Sequence, residues 1–132
     1  MKTSELTGAA LDWAVAKCEG EEPHFVRGLT SNKIHLWRTV GYDPEPWLPS
    51  TDWAQGGPII EREDISFRKY HNPSHAAHGK YYARICKERG TMVGWHQSTG
   101  HQMTGPTPLI AAMRCYCASK LGDEVEIPEE LK

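Results

Sequence analysis

Apolar residues in this chain recur first at helical spacing, then at strand spacing, then at helical spacing again. The clearest run lies near the C-terminal end. Between Thr107 and Leu121, Leu109, Met113 and Tyr116 share one face with Ile110 and Cys117 beside them, which predicts an amphipathic helix. Its start is pre-set. Gly105-Pro106 breaks the chain, Thr107 suits the N-cap, and Pro108 suits the first helical position, where a missing N–H leaves nothing unpaired. Gly122 supplies the stop. A second helical stripe, Leu11, Ala14, Val15 and Cys18, opens the chain. Thr3 or Ser4 can cap it, Glu5 places a carboxylate where the helix dipole favours one, and Gly20 ends it. Gly8 weakens its first turns.

Between the helices the texture changes. His24-Phe25-Val26 and Ile34-His35-Leu36-Trp37 read as short strands joined through residues 28–32. Asp43 to Pro49 carries three prolines, which predicts an irregular loop. Ser50 to Gly57 reads as a capped turn closed by glycines, with Pro58 opening a separate short helical turn. Ile65-Ser66-Phe67, Lys80 to Cys86 and Met92 to His96 read as further strands, and Gln97 to Gly105 as a polar loop. Val125 and Ile127 are expected to anchor an acidic tail. These elements predict an α+β fold in one domain spanning 1–132: a small, mostly antiparallel sheet packed with an N-terminal and a C-terminal helix, rich in loops.

Composition narrows the function classes. The 132-residue chain has a formal net charge of −2, which gives no general electrostatic grip on nucleic acid or an anionic membrane. No apolar run approaches the roughly 20 residues of a membrane span. Met1 to Thr7 lack the apolar run of an export signal, so a cytoplasmic location with reduced thiols is expected for Cys18, Cys86, Cys115 and Cys117.

Four groups of residues invite a chemical reading. His71, His75 and His78 have a spacing that would align three imidazoles on a helix, with Cys86 as a fourth zinc ligand, but Pro73 interrupts that helix. A solvated loop is the plainer reading, and no metal or other cofactor is expected. Cys115 and Cys117 would point about 200° apart on a helix and so cannot chelate together. Glu61, Glu63 and Asp64 read as the wet face of an amphipathic segment rather than as acid/base partners. The fourth group is the pair of proline-led helix starts. Backbone N–H groups at a helix start, with the dipole behind them, bind phosphate or carboxylate. Around these starts lie Ser50, Thr51, Asp52, Trp53, Gln55, Gly56 and Gly57 on one side and Thr104, Gly105 and Thr107 on the other. If the two turns meet, these ten residues are the expected ligand site. Trp47 and Trp53 would then offer flat surfaces for a base.

Three blocks resemble a known family. They are Met1 to Ala16, the run Ser50-Thr51-Asp52-Trp53-Ala54-Gln55-Gly56-Gly57-Pro58-Ile59-Ile60-Glu61-Arg62-Glu63, and Gly105 to Arg114 continuing through Leu121-Gly122-Asp123. Together they resemble the NinX family of lambdoid phages and prophages. The resemblance implies a phage accessory protein in the host bacterial cytoplasm and brings no enzymatic reaction and no catalytic residues.

The resulting expectation is a non-enzymatic protein that binds a small anionic ligand, in particular a nucleotide, and sequesters a host defence signal. One alternative is a protein-interaction module that inhibits a host enzyme, with an exposed Trp47 in its proline-rich flank as anchor. Another is a metal-dependent hydrolase built on the histidines. A membrane partner is not expected, a nucleic-acid partner is disfavoured, and a homo-oligomer is left open.

Overall fold

Hydrogen bonds between the two chain ends set the N-terminal frame. The computed structural model describes residues 1–29, 33–71, 80–85 and 102–132. Thr3 is fully buried, and its hydroxyl donates to the Gly122 carbonyl at 2.6 Å while its N–H donates to Asp123 O at 2.8 Å. The expected cap at Thr3 or Ser4 is therefore a tie to the far end of the chain. Thr3–Glu5 forms a 3-10 turn, and helix α1 begins only at Gly8, running to Cys18. Its stripe is as expected: Leu11, Ala14 and Val15 have no exposed surface.

Among the described residues, six strands form two antiparallel sheets rather than one. Strands β1 (His24–Arg27), β2 (Ile34–Val40) and β3 (Asp43–Pro46) make the first, and β4 (Ile65–Lys69), β5 (Tyr81–Ile85) and β6 (Gln102–Gly105) the second. Strand β3 lies where a proline loop was expected. It is an edge strand, with Pro44 opposite Thr39 and Pro46 opposite Trp37, and an edge tolerates residues that cannot donate to a ladder. Strand β6 likewise replaces part of the expected polar loop, because Gln102 to Gly105 pair with Arg84 to Tyr81. The predicted strand at Met92 to His96 lies outside the described residues.

Helix α2 (Trp53–Glu63) is continuous where two short turns were expected, and it includes Gly56, Gly57 and Pro58. Gly56 explains the path. A Cβ there would collide with the Pro49 carbonyl oxygen and lie 2.5 Å from Leu109 Cδ1, so this close crossing requires glycine.

Helix α3 (Pro108–Leu121) matches its predicted limits, with Thr107 Oγ1 accepting the Ile110 N–H at 3.1 Å and Gly122 closing it at φ +89. Its surroundings differ from the one-faced expectation. Leu109, Ala111, Ala112, Met113, Cys115, Tyr116, Cys117 and Ala118 are all buried, so this is the central helix of an α+β fold. It contacts α1, α2 and the second sheet. Val125 and Ile127 are buried, as expected of anchors.

Candidate functional site

Of the two proline-led starts expected from the sequence, only the one at Thr107 is a helix start; Pro58 lies inside α2, which begins one turn earlier at Trp53, and it is this earlier start that meets the α3 start in space. Ser50, Thr51 and Trp53 before and within α2, with Thr107, Leu109 and Ile110 of the α3 start, line one cleft of about 170 Å³. Asp52 Oδ1 accepts the Ala54 N–H at 2.9 Å, and Thr107 caps Ile110, so each start has satisfied one donor internally. The N–H groups of Trp53 and Leu109 donate to no described residue. Ser50 is 1% exposed, and its hydroxyl has no hydrogen-bond partner among the described residues. The same hydroxyl favours the charged form of the Asp12 carboxylate, so an acceptor lies close to it. Trp53 is half exposed and packs its ring at 5.9 Å from Phe67, leaving an open aromatic pair beside the cleft.

The other residues of the expected site frame this cleft without lining it. Asp52 is occupied as the α2 cap. The Gln55 amide clamps the preceding loop, donating to Pro46 O and accepting from the Leu48 N–H, both at 2.6 Å. Gly56 is the crossing point with α3, while a Cβ on Gly57 would meet open space. Thr104 offers its carbonyl to Arg114 Nη1 at 2.8 Å, and Gly105 packs so closely that a Cβ would lie 2.8 Å from Ala111 N. Leu109 and Ile110 read only as core positions in the sequence, although their N–H groups sit at the helix start.

Trp47 is not the exposed anchor that the protein-interaction reading needs. It is 2% exposed, its indole N–H donates to Asp12 O at 2.8 Å, and the Arg38 guanidinium covers its ring at 4.4 Å. His71 is exposed, and His75, His78 and Cys86 lie outside the described residues. Among the described residues, no group of three or more histidine, cysteine or acidic side chains is placed to hold a metal. Cys117 is held well above the usual thiol range by its hydrogen bond with Cys18 and by burial, which disfavours the reactive thiolate. Of the acidic trio, Glu63 is buried and pairs with Arg62, whose Nη2 also reaches both Glu19 oxygens at 2.9 Å. Asp64 ends α2 in the left-handed conformation.

A larger cleft escaped the sequence reading because it joins four distant segments. It holds about 460 Å³ between Gly8, Ala9 and Asp12 of α1, residues 33–36, Trp47, Leu48 and Thr51, and residues 130–132. Asp12 is 2% exposed, and Oδ1 accepts the Ser50 N–H at 2.8 Å. Burial pushes its carboxyl up to about 6, against the opposing influence of the Ser50 hydroxyl and N–H. That hydroxyl lies near enough to favour the charged form yet meets no described group in hydrogen-bonding geometry. Thr51 lines both clefts.

The match to a known family covers residues 2–120 and is described as bacteriophage P22, NinX. The chain belongs to this family. No curated protein matches it. The NinX span contains α1, α2 and all but the last residue of α3, so both helix starts at the smaller cleft fall within the part common to the family model. No helix among the described residues is long and apolar enough to cross a membrane.

Proposed function

We propose that this NinX protein is a non-enzymatic phage accessory protein that binds a small anionic, phosphate-bearing ligand of the nucleotide class at the cleft between the α2 and α3 starts. The observation that supports this reading is the convergence of two helix N-termini on one cleft beside the buried Ser50. Each start contributes one unused N–H, from Trp53 and Leu109, and the positive end of a dipole. At about 170 Å³ the cleft suits a phosphate group rather than a whole nucleotide, so the remainder of the ligand would extend outward. The Trp53–Phe67 pair and the larger cleft beyond Thr51 are the surfaces it would meet. Binding without conversion fits a role in sequestering a host signal in the bacterial cytoplasm. Asp52 opposes the anion through its charge and keeps the site weak toward free phosphate.

A thermal-shift series tests this. Nucleoside 5′-monophosphates at a hundred times their Kd should stabilise the protein by about 2.7 kcal/mol. A melting temperature unmoved by millimolar mono-, di- and cyclic nucleotides refutes the reading.

A further inference from the structure

We infer that the 460 Å³ cleft takes an extended peptide segment of a partner protein, which pairs as a further strand with the open edge of β2 at Ile34. This site does not depend on the anion site at the α2 and α3 starts.

Ladder geometry locates the open edge. In an antiparallel sheet, successive residues turn their N–H and C=O alternately toward one neighbouring strand and the other. The Gly28 N–H donates to Lys33 O at 3.1 Å, continuing the β1–β2 register, so Lys33, His35 and Trp37 bond toward β1. The Trp47 N–H donates to Leu36 O at 2.8 Å, continuing the β2–β3 register, so Leu36, Arg38 and Val40 bond toward β3. Ile34 shares the parity of Leu36. Its N–H and C=O therefore point away from β1, into the space that a longer β3 would occupy. Strand β3 stops short of it, because after Trp47 the chain turns, with Leu48 O accepting the Thr51 and Asp52 N–H groups. The Ile34 N–H and C=O and the Leu36 N–H meet no described residue, and both residues line the cleft.

The remaining edges of this sheet differ. On β3 the outward positions are Pro44 and Pro46, so that edge offers no N–H and is guarded against a stray strand. Strand β1 is exposed at all four residues, with no wall around it. Only at Ile34 does an unpaired stretch of this sheet, as described, lie inside a cleft. From Lys33 to Leu36 that stretch is about 10 Å long at about 3.4 Å per residue, which fits about three residues of an added strand. A backbone supplies an acceptor and a donor at the spacing that the Ile34 N–H and C=O require, which is the pattern of strand addition to a sheet edge.

The walls define the segment. A residue opposite Ile34 turns its side chain to the face that holds Leu36, toward Gly8 and Ala9 of α1, Trp47 and Leu131. Small residues on one side and apolar ones on the others suit an apolar side chain. Its two neighbours point to the opposite face, the face of Lys33, which is exposed at the rim. Opposite charges across a strand pair stabilise it, so carboxylates suit those positions. The partner is thus an extended segment with one apolar residue between acidic ones.

Selection of a random heptapeptide library on the immobilised full chain, followed by calorimetry with an enriched peptide, tests this. The enriched peptides should share an apolar residue between acidic neighbours. Such a peptide should bind Ile34→Pro, which lacks the edge N–H, roughly tenfold more weakly than Ile34→Ala, which keeps it, the effect of one hydrogen bond. The same peptide N-methylated at its apolar residue cannot donate to Ile34 O and should bind the wild type roughly tenfold more weakly. This second arm decides the matter even if Ile34→Pro does not fold. Amide exchange at Ile34 should slow in the complex. A library that yields no such peptide overturns the inference, as do equal affinities for the two variants or an N-methylated peptide as tight as its parent. Self-association of the chain that Ile34→Ala retains and Ile34→Pro abolishes also overturns it, because the occupant is then a second copy.

Discussion

Two adjacent glycines of α2 should respond to alanine by very different amounts. At Gly56 the new methyl would overlap the Pro49 carbonyl oxygen and lie 2.5 Å from Leu109 Cδ1. The leucine methyl can rotate away, but the carbonyl belongs to a loop fixed by the Thr51 and Asp52 N–H groups on Leu48 O. Overpacking against backbone costs up to about 3 kcal/mol. The gain in helix propensity returns about 1 kcal/mol. Gly56→Ala should therefore lose about 2 kcal/mol, which for a domain of this size is about 6–10 °C in melting temperature. Gly57 has no atom within 4 Å of its would-be Cβ beyond its chain neighbours, and the gain in helix propensity from Gly57→Ala is opposed by the Pro58 ring that follows, so the net change should stay within about 1 kcal/mol. Urea unfolding followed by tryptophan fluorescence measures both. If Gly56→Ala is as well tolerated as Gly57→Ala, α2 does not cross α3 as closely as described. The cleft between their starts would then lose its geometry.

Other outcomes follow from single contacts. Asp12 holds its proton more tightly when folded, at about 6 against 3.8, so its own contribution to stability is full below pH 4 and is lost as pH rises through 6. The loss is up to about 3 kcal/mol, and urea titrations at pH 4, 5, 6 and 7 should show it in the wild type and not in Asp12→Asn. Thr107→Ala removes the α3 cap and should cost about 1 kcal/mol in the same assay. Thr3→Val leaves the Gly122 carbonyl without its hydroxyl donor and should cost about 1–2 kcal/mol, freeing both chain ends to exchange amide hydrogens faster.

Local signals were legible and distant ones were not. Thr107, Pro108 and Gly122 set α3 through neighbours within a turn, and the structure keeps its limits. The strands at β1 and β2 were both legible, the second by its apolar alternation, and both are present. Thr3 misled because its partner, Gly122, is 119 residues away. The prolines of β3 and the glycines of α2 look like breakers locally. Each is accommodated by its position, one on a sheet edge and the other at a helix crossing. At the candidate site, Ser50, Thr51, Trp53 and Thr107 are brought together, whereas Asp52, Gln55, Gly56, Gly57, Thr104 and Gly105 serve the framework. The second cleft required residues 8–12, 33–36, 47–51 and 130–132 to meet, and no periodicity announces that.

The central claim, that two helix starts form an anion site, is tested most directly at Trp53. Asp52 before it is extended, at ψ 112, and Trp53 is the first residue of α2, so proline fits there and removes, besides the ring, an N–H that donates to no described residue. Trp53→Ala removes the ring and keeps that N–H. Calorimetry with pyrophosphate at low ionic strength should show Trp53→Pro binding roughly tenfold more weakly than Trp53→Ala, the worth of one charge-assisted hydrogen bond. Equal affinities in the two variants, or no pyrophosphate binding by the wild type, would contradict the account.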